Sequence, residues 1–136
     1  MKYTIGIDIG TGSVKAVALD SEGKILTQAQ VHYPSSPGEY GIAEQDPVMV
    51  THHFIKCVRQ VTENLQTSPE LISLSSYMHG IMVVDDQCRP LTNILTWADS
   101  RSESIASDIR QSNEAESIYR STGAPIHSML PLFKIL

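Results

Sequence analysis

The stretch Gly6-Ile7-Asp8-Ile9-Gly10-Thr11-Gly12-Ser13-Val14-Lys15 constrains this chain more than any other segment. Tyr3 to Asp8 alternates and is rich in Ile, the pattern of a strand. Val14 to Asp20 alternates as well, with Val14, Ala16 and Ala18 on one face and Lys15, Val17 and Leu19 on the other. Two strands joined by a glycine-rich turn make a hairpin, and a hairpin excludes two familiar phosphate loops. A Walker A loop needs G-x-x-x-x-G-K-[ST] ahead of a helix, a spacing that Gly10, Gly12 and Lys15 do not meet. A dinucleotide-binding fingerprint needs G-x-G-x-x-G opening a helix, but Lys15 stands at its third glycine and a strand follows. Two readings remain, a plain hairpin turn and a β-turn-β phosphate loop. In the second, Gly10 and Gly12 let the backbone turn tightly, and Thr11, Gly12 and Ser13 offer N–H and hydroxyl donors to phosphate oxygens. Asp8 at the strand end holds Mg²⁺ against those phosphates. Lys15 either steers phosphate or faces solvent. The acidic strand end and the Gly-Thr-Gly-Ser turn favour phosphate.

Ser21-Glu22-Gly23-Lys24 reads as a turn and Ile25 to Tyr33 as a third strand, which completes an antiparallel meander. Pro34 to Gln45 carries two prolines and two glycines and reads as a surface loop. Asp46-Pro47 starts a helix, with Asp46 as N-cap and Pro47 at the first helical position. Val50, Phe54, Val58, Val61 and Leu65 give it a buried stripe ending near Gln66. Leu71 to Ser75 reads as a short buried strand. Met82 to Asp86 and Pro90 to Asn93 read as two short strands around a polar turn. Asp99 to Gln111 reads as a helix with Ile105 and Ile109 on its inner face. Glu114 to Ser121 is a second helix, stopped by Gly123 and Pro125. The order β-β-β-α-β, then α and β, specifies an α/β fold, a mixed sheet with helices on its faces. Leu130 to Leu136 has the look of an apolar helix just beginning, so the chain is expected to be a piece of something longer.

A net charge of -5 argues against nucleic acid, which wants clustered Lys and Arg. No apolar run approaches the roughly 18–20 residues of a membrane helix. The start carries no basic-then-apolar leader pattern, and Cys57 and Cys88 are too few for a metal or redox motif. They read as a buried helix thiol and a loop thiol. A cytoplasmic location is expected.

The hairpin resembles the first phosphate motif of the sugar-kinase, actin and Hsp70 ATPase superfamily. Four further segments narrow the resemblance to FGGY-type carbohydrate kinases. These are Ala43-Glu44-Gln45-Asp46-Pro47, Tyr77-Met78-His79-Gly80, Ile94-Leu95-Thr96-Trp97-Ala98-Asp99-Ser100-Arg101 and Thr122 to Ile135. The second resembles the Met-His-Gly substrate segment of xylulokinases and gluconokinases. The last is closest to gluconokinases. The resemblance implies a ribonuclease H-like fold, with residues 1–136 as the N-terminal part of the first of two domains. It implies ATP and Mg²⁺ as cofactors and phosphorylation of a sugar or sugar acid, gluconate first and a pentulose such as xylulose as the alternative. It implies a homodimer for the full-length protein and places the general-base Asp beyond Leu136, leaving the fragment inactive alone.

The resemblance further assigns Met78, His79 and Gly80 to the sugar pocket. Trp97 supplies a flat apolar wall, or else packs in the core. Asp99 accepts from sugar hydroxyls, caps the following helix, or does both. Arg101 pairs with Asp99 or meets an anionic substrate, and His127 is a further substrate contact. Lys134 reads as a solvated helix charge. His52 and His53, on the outer part of the first helix, are not expected as ligands. A non-catalytic, actin-like nucleotide-binding module is the reading from another class; Met-His-Gly and Trp-x-Asp-x-Arg argue against it.

Overall fold

A computed structural model describes residues 2–33 and 38–136. The expectation of a loop over 34–37 lies outside the described residues. Two compact units divide the chain, residues 1–35 with 47–77 and residues 36–46 with 78–136.

In the first unit, β1 (Tyr3–Ile9), β2 (Ser13–Asp20) and β3 (Ile25–His32) form the expected meander. α1 (Pro47–Thr62) then crosses over to β5 (Leu71–Ser76), which pairs in parallel with β1 and makes the strand order β3-β2-β1-β5. β4 belongs to the second unit. The period-two pattern decides the register. Tyr3, Ile5, Ile7, Val14, Ala16, Ala18 and Val31 share one buried face, and α1 lies across it over β2 and β3. Alternation delivers this because successive side chains leave opposite faces of a strand. Gly23, at φ +82°, takes the left-handed position of the β2–β3 turn. The turn is also held by Asp20, whose Oδ1 accepts from the N–H groups of Glu22 and Lys24, each at 2.9 Å.

The α1 stripe packs as expected, with Cys57 and Val61 fully buried at its centre and Val50, Phe54, Val58 and Leu65 beside them. The helix ends four residues early, at Thr62. β5 departs from expectation. It is a strand, but every residue of it is exposed, Leu71 at 59%, Ile72 at 45% and Leu74 at 61%. An apolar strand is buried only where a layer covers it, and α1 covers β2 and β3 instead.

In the second unit, β4 (Glu44–Gln45) pairs antiparallel with β6 (Ile94–Leu95). A short 3₁₀ turn, Glu39–Gly41, precedes β4. The two strands expected over Met82 to Asp86 and Pro90 to Asn93 reduce to a single bridge, Val84 with Pro90, while Ile81, just before them, bridges to Leu95 of β6. Asp85 gathers the intervening turn instead, accepting from the backbone of Gln87 and Arg89 and from the Arg89 side chain. α2 (Glu103–Gln111), α3 (Glu114–Thr122) and α4 (Pro131–Ile135) follow. Ala106 is the buried residue of α2, with Ile105 and Ile109 half-buried. Gly123 ends α3 at φ +69°. No helix among the described residues is long and apolar enough to cross a membrane.

Candidate functional site

Within the first unit the hairpin turn is built from both sides. The Gly10 N–H donates to the Ser13 carbonyl at 2.9 Å and closes the turn. A Cβ at Gly10 would stand 3.3 Å from that carbonyl oxygen, a tight approach that glycine avoids, and 3.9 Å from Asp8 Oδ2. Behind the turn stands Tyr33, which sequence reading did not single out. Its N–H donates to the Gly12 carbonyl at 3.2 Å and its hydroxyl to the Gly10 carbonyl. Burial, then Tyr77 and Asp8 nearby, push the Tyr33 phenol up to about 12, so it stays a donor at neutral pH. His53 braces the ring edge-on at 5.6 Å and is itself held by the Met49 carbonyl at 2.7 Å. Expected on the outer part of α1, His53 is half-buried, whereas His52 is exposed. The one signal for Tyr33 was its place two residues after Val31 on the buried face.

Register carries polar side chains straight across the sheet on the face away from α1. Ser75 pairs with Asp8, Asp8 with Lys15, and Lys15 with Gln30. These four line a cavity of about 590 Å³ together with Ser73 and Gln28. Asp8 and Lys15 are exposed there, as is Gly12 at the turn. Ser13 is buried, and its Oγ accepts from Gln30 Nε2 at 3.1 Å. No group of three or more His, Cys, Asp or Glu side chains fit for a metal occurs among the described residues. A single carboxylate suits Mg²⁺, which takes one or two carboxylates and completes its shell with phosphate oxygens and water.

The second unit assembles the other motifs. Ile81 and Leu95 exchange backbone hydrogen bonds at 3.1 and 2.8 Å, which lays Met78-His79-Gly80 alongside the segment leading to Trp97. Met78 is 74% exposed and Trp97 49%, so core packing is not the role of Trp97 in this structure. His79 sits in the left-handed region at φ +66°, a conformation that costs a non-glycine residue about 1–3 kcal/mol and gathers at functional sites. Asp99 is only 1% exposed. Its Oδ2 accepts from the Ala43 N–H at 3.0 Å and from Arg101 Nη2 at 2.8 Å. Burial raises the Asp99 carboxyl, but the hydrogen bonds from Arg101 and Ala43 outweigh it and hold the group below its usual range. Arg101 reaches on to Glu44 Oε1 at 2.5 Å. Glu44, which also accepts from Asn93 Nδ2 at 3.0 Å, is held low by Asn93 and then by Arg101.

Asp99 therefore does not cap α2, which starts four residues later at Glu103; turns through Thr96–Asp99 and Ser100–Glu103 intervene. Arg101 pairs with Asp99, the first of its two expected roles, and adds Glu44. His127 is exposed and engaged elsewhere, its Nδ1 accepting the Met129 N–H at 3.1 Å. Lys134 is the clear correction. It is half-buried, and its ammonium donates to the carbonyls of Thr96 and His79. A solvated charge was expected because α4 is too short for its sequence to show which side is covered.

Residues 3–136 match the N-terminal domain of the FGGY family of carbohydrate kinases. The chain belongs to the FGGY family. The chain is 37% identical over 134 residues to the gluconokinase of Bacillus licheniformis, covering 98% of itself and 26% of that protein. It superposes on a gluconate kinase from Lactobacillus acidophilus with a TM-score of 0.93 at 35% identity, over 98% of this chain and 27% of that one. A ligand-bound xylulose kinase from the same organism gives a TM-score of 0.93 at 35% identity, over 99% and 28%. The FGGY chain thus spans about a quarter of the length of its relatives. Its mixed α/β architecture is that of sugar kinases with the actin-like ATPase fold.

Proposed function

We propose that residues 1–136 are the N-terminal part of the first of two domains of an ATP-dependent sugar-acid kinase, with gluconate giving 6-phosphogluconate. The observation that carries this is the hairpin turn. It is braced from behind by Tyr33, is open at Gly12, and lies beside the exposed Asp8. Gly10, Thr11, Gly12 and Ser13 form the phosphate cradle, and Lys15 adds positive charge on the same sheet face as Asp8. Asp8 holds Mg²⁺. When bound, that ion offsets charge on the phosphates, and the remaining catalysis is positioning and electrostatics. Met78, His79, Gly80 and Trp97 form the sugar pocket, with His127 a further contact. Asp99 and Arg101 shape that pocket, with the Arg101 guanidinium held by Asp99 and Glu44. The base that takes the hydroxyl proton lies beyond Leu136, so the fragment is inactive alone. The gluconokinase at 37% identity supports gluconate as the acceptor.

One observation supports a second reading. The xylulose kinase structure matches as well as the gluconate kinase, which makes a ketopentose the alternative acceptor. Full-length protein assayed with ATP against gluconate, xylulose, ribulose and glycerol separates the two. Gluconate is expected to give a kcat/KM at least about tenfold above the others, which corresponds to about 1.4 kcal/mol at the transition state. Equal or better turnover of xylulose replaces gluconate with the pentulose.

A further inference from the structure

Lys134 stands where two motif segments meet. α4 opens with Pro131, and Phe133 on it is fully buried, which fixes how the short helix sits. The next side chain leaves the helix about 100° further round. From there its ammonium donates to the Thr96 carbonyl, one residue before Trp97, and at 3.5 Å to the carbonyl of His79 itself. Burial lowers the Lys134 pKa, and nearby Asp99 opposes that. A half-buried ammonium needs acceptors, and these two carbonyls supply them. One of them belongs to the residue at φ +66°. Asp99 is already taken by Arg101 and the Ala43 N–H, so Lys134 is not its ion-pair partner in this arrangement.

We propose that Lys134 is a positioning residue for the sugar site: by fixing the carbonyls of Thr96 and His79, it sets the His79 imidazole and the Trp97 ring at the spacing the acceptor sugar requires. This rests on the reading of residues 78–80 and 97–101 as a sugar pocket. A rotation of either carbonyl would move the attached side chain while leaving the phosphate turn of the first unit untouched. The loss is therefore confined to one substrate, which is what separates positioning from general support of the fold.

The test uses the full-length enzyme and the sugar it turns over best. In Lys134→Met, which keeps the length and removes the charge, the sugar KM is expected to rise about tenfold or more and the ATP KM to stay within twofold. Lys134→Arg, which restores a cation with several donors, is expected to recover most of that rise. Should Lys134→Met fail to fold, Lys134→Ala, which also removes every side-chain donor, takes its place with the same expected split. An unchanged sugar KM in a folded neutral variant overturns the proposal. So do sugar and ATP KM values that rise together, because they mark a merely structural role. A wild-type enzyme that phosphorylates no sugar overturns the sugar-pocket reading as well, so the two failures are told apart by the wild-type control.

Discussion

Tyr33 engages the glycine turn of the hairpin twice, through its own N–H and through its hydroxyl. The two bonds fall on Gly10 and Gly12, whose carbonyls would otherwise be free to rotate with the glycines. Tyr33→Phe keeps the ring packing on His53 and removes one bond. The expected outcome is an ATP KM raised about fivefold with the sugar KM within twofold, measured by steady-state kinetics on the full-length enzyme. The accompanying stability loss is about 1 kcal/mol, the usual net worth of one such bond. The contrast with Lys134 is informative. Each residue holds backbone carbonyls of a motif segment, Tyr33 those of Gly10 and Gly12 and Lys134 those of Thr96 and His79, and on the proposed function the two would act on different substrates. Neither role was visible in the sequence, because both partners of each bond are remote along the chain. Asp8, Gly10 and Gly12 were visible, because the turn they make is local.

At the scale of elements, the hairpin and α1 follow their patterns closely. Two-residue alternation put Val14, Ala16 and Ala18 on one face, which is the buried one, and the helical stripe found Val61 and its neighbours. Cys57 was assigned as a buried helix thiol, and it packs with Sγ 3.5 Å from the carbonyls of Val14 and Ala29. Val61→Ala removes two buried methyl groups from this layer. The expected cost is about 2 kcal/mol, roughly 0.8 per carbon plus a cavity contribution, read as a lower denaturation midpoint in urea. Short elements were less legible. β4, β6 and the bridges at 81–95 are too brief for any period to register, and α2 begins late because Asp99 is drawn into the Ala43–Arg101 network.

At the scale of the whole chain, electrostatics distinguishes the two units. Glu44, Asp85, Asp99 and Glu103 are held below their usual range, and all four lie in the second unit. A carboxyl whose folded pKa is depressed stabilises the fold above its unfolded pKa and loses that contribution as pH falls through the folded value. Protonation therefore weakens the Asp99–Arg101–Glu44 network below about pH 4, the ordinary carboxylate range. Amide hydrogen exchange at stepped pH is expected to show protection falling around Ala43 and 99–103 before it falls in β1 and β2. Simultaneous loss in both units would count against this electrostatic account. The sequence by itself determined what rests on near neighbours: the meander, the face of each strand, the buried stripe of α1, the glycine turn beside Asp8 and the family to which these segments point. Tertiary structure alone decided that α1 lies over β2 and β3, that Asp99 turns inward to Arg101 and Ala43, and that Lys134 and Tyr33 brace the two motifs. Periodicity reports which side of an element is apolar. It carries no information about which layer arrives to cover that side, or which distant carbonyl a buried donor meets.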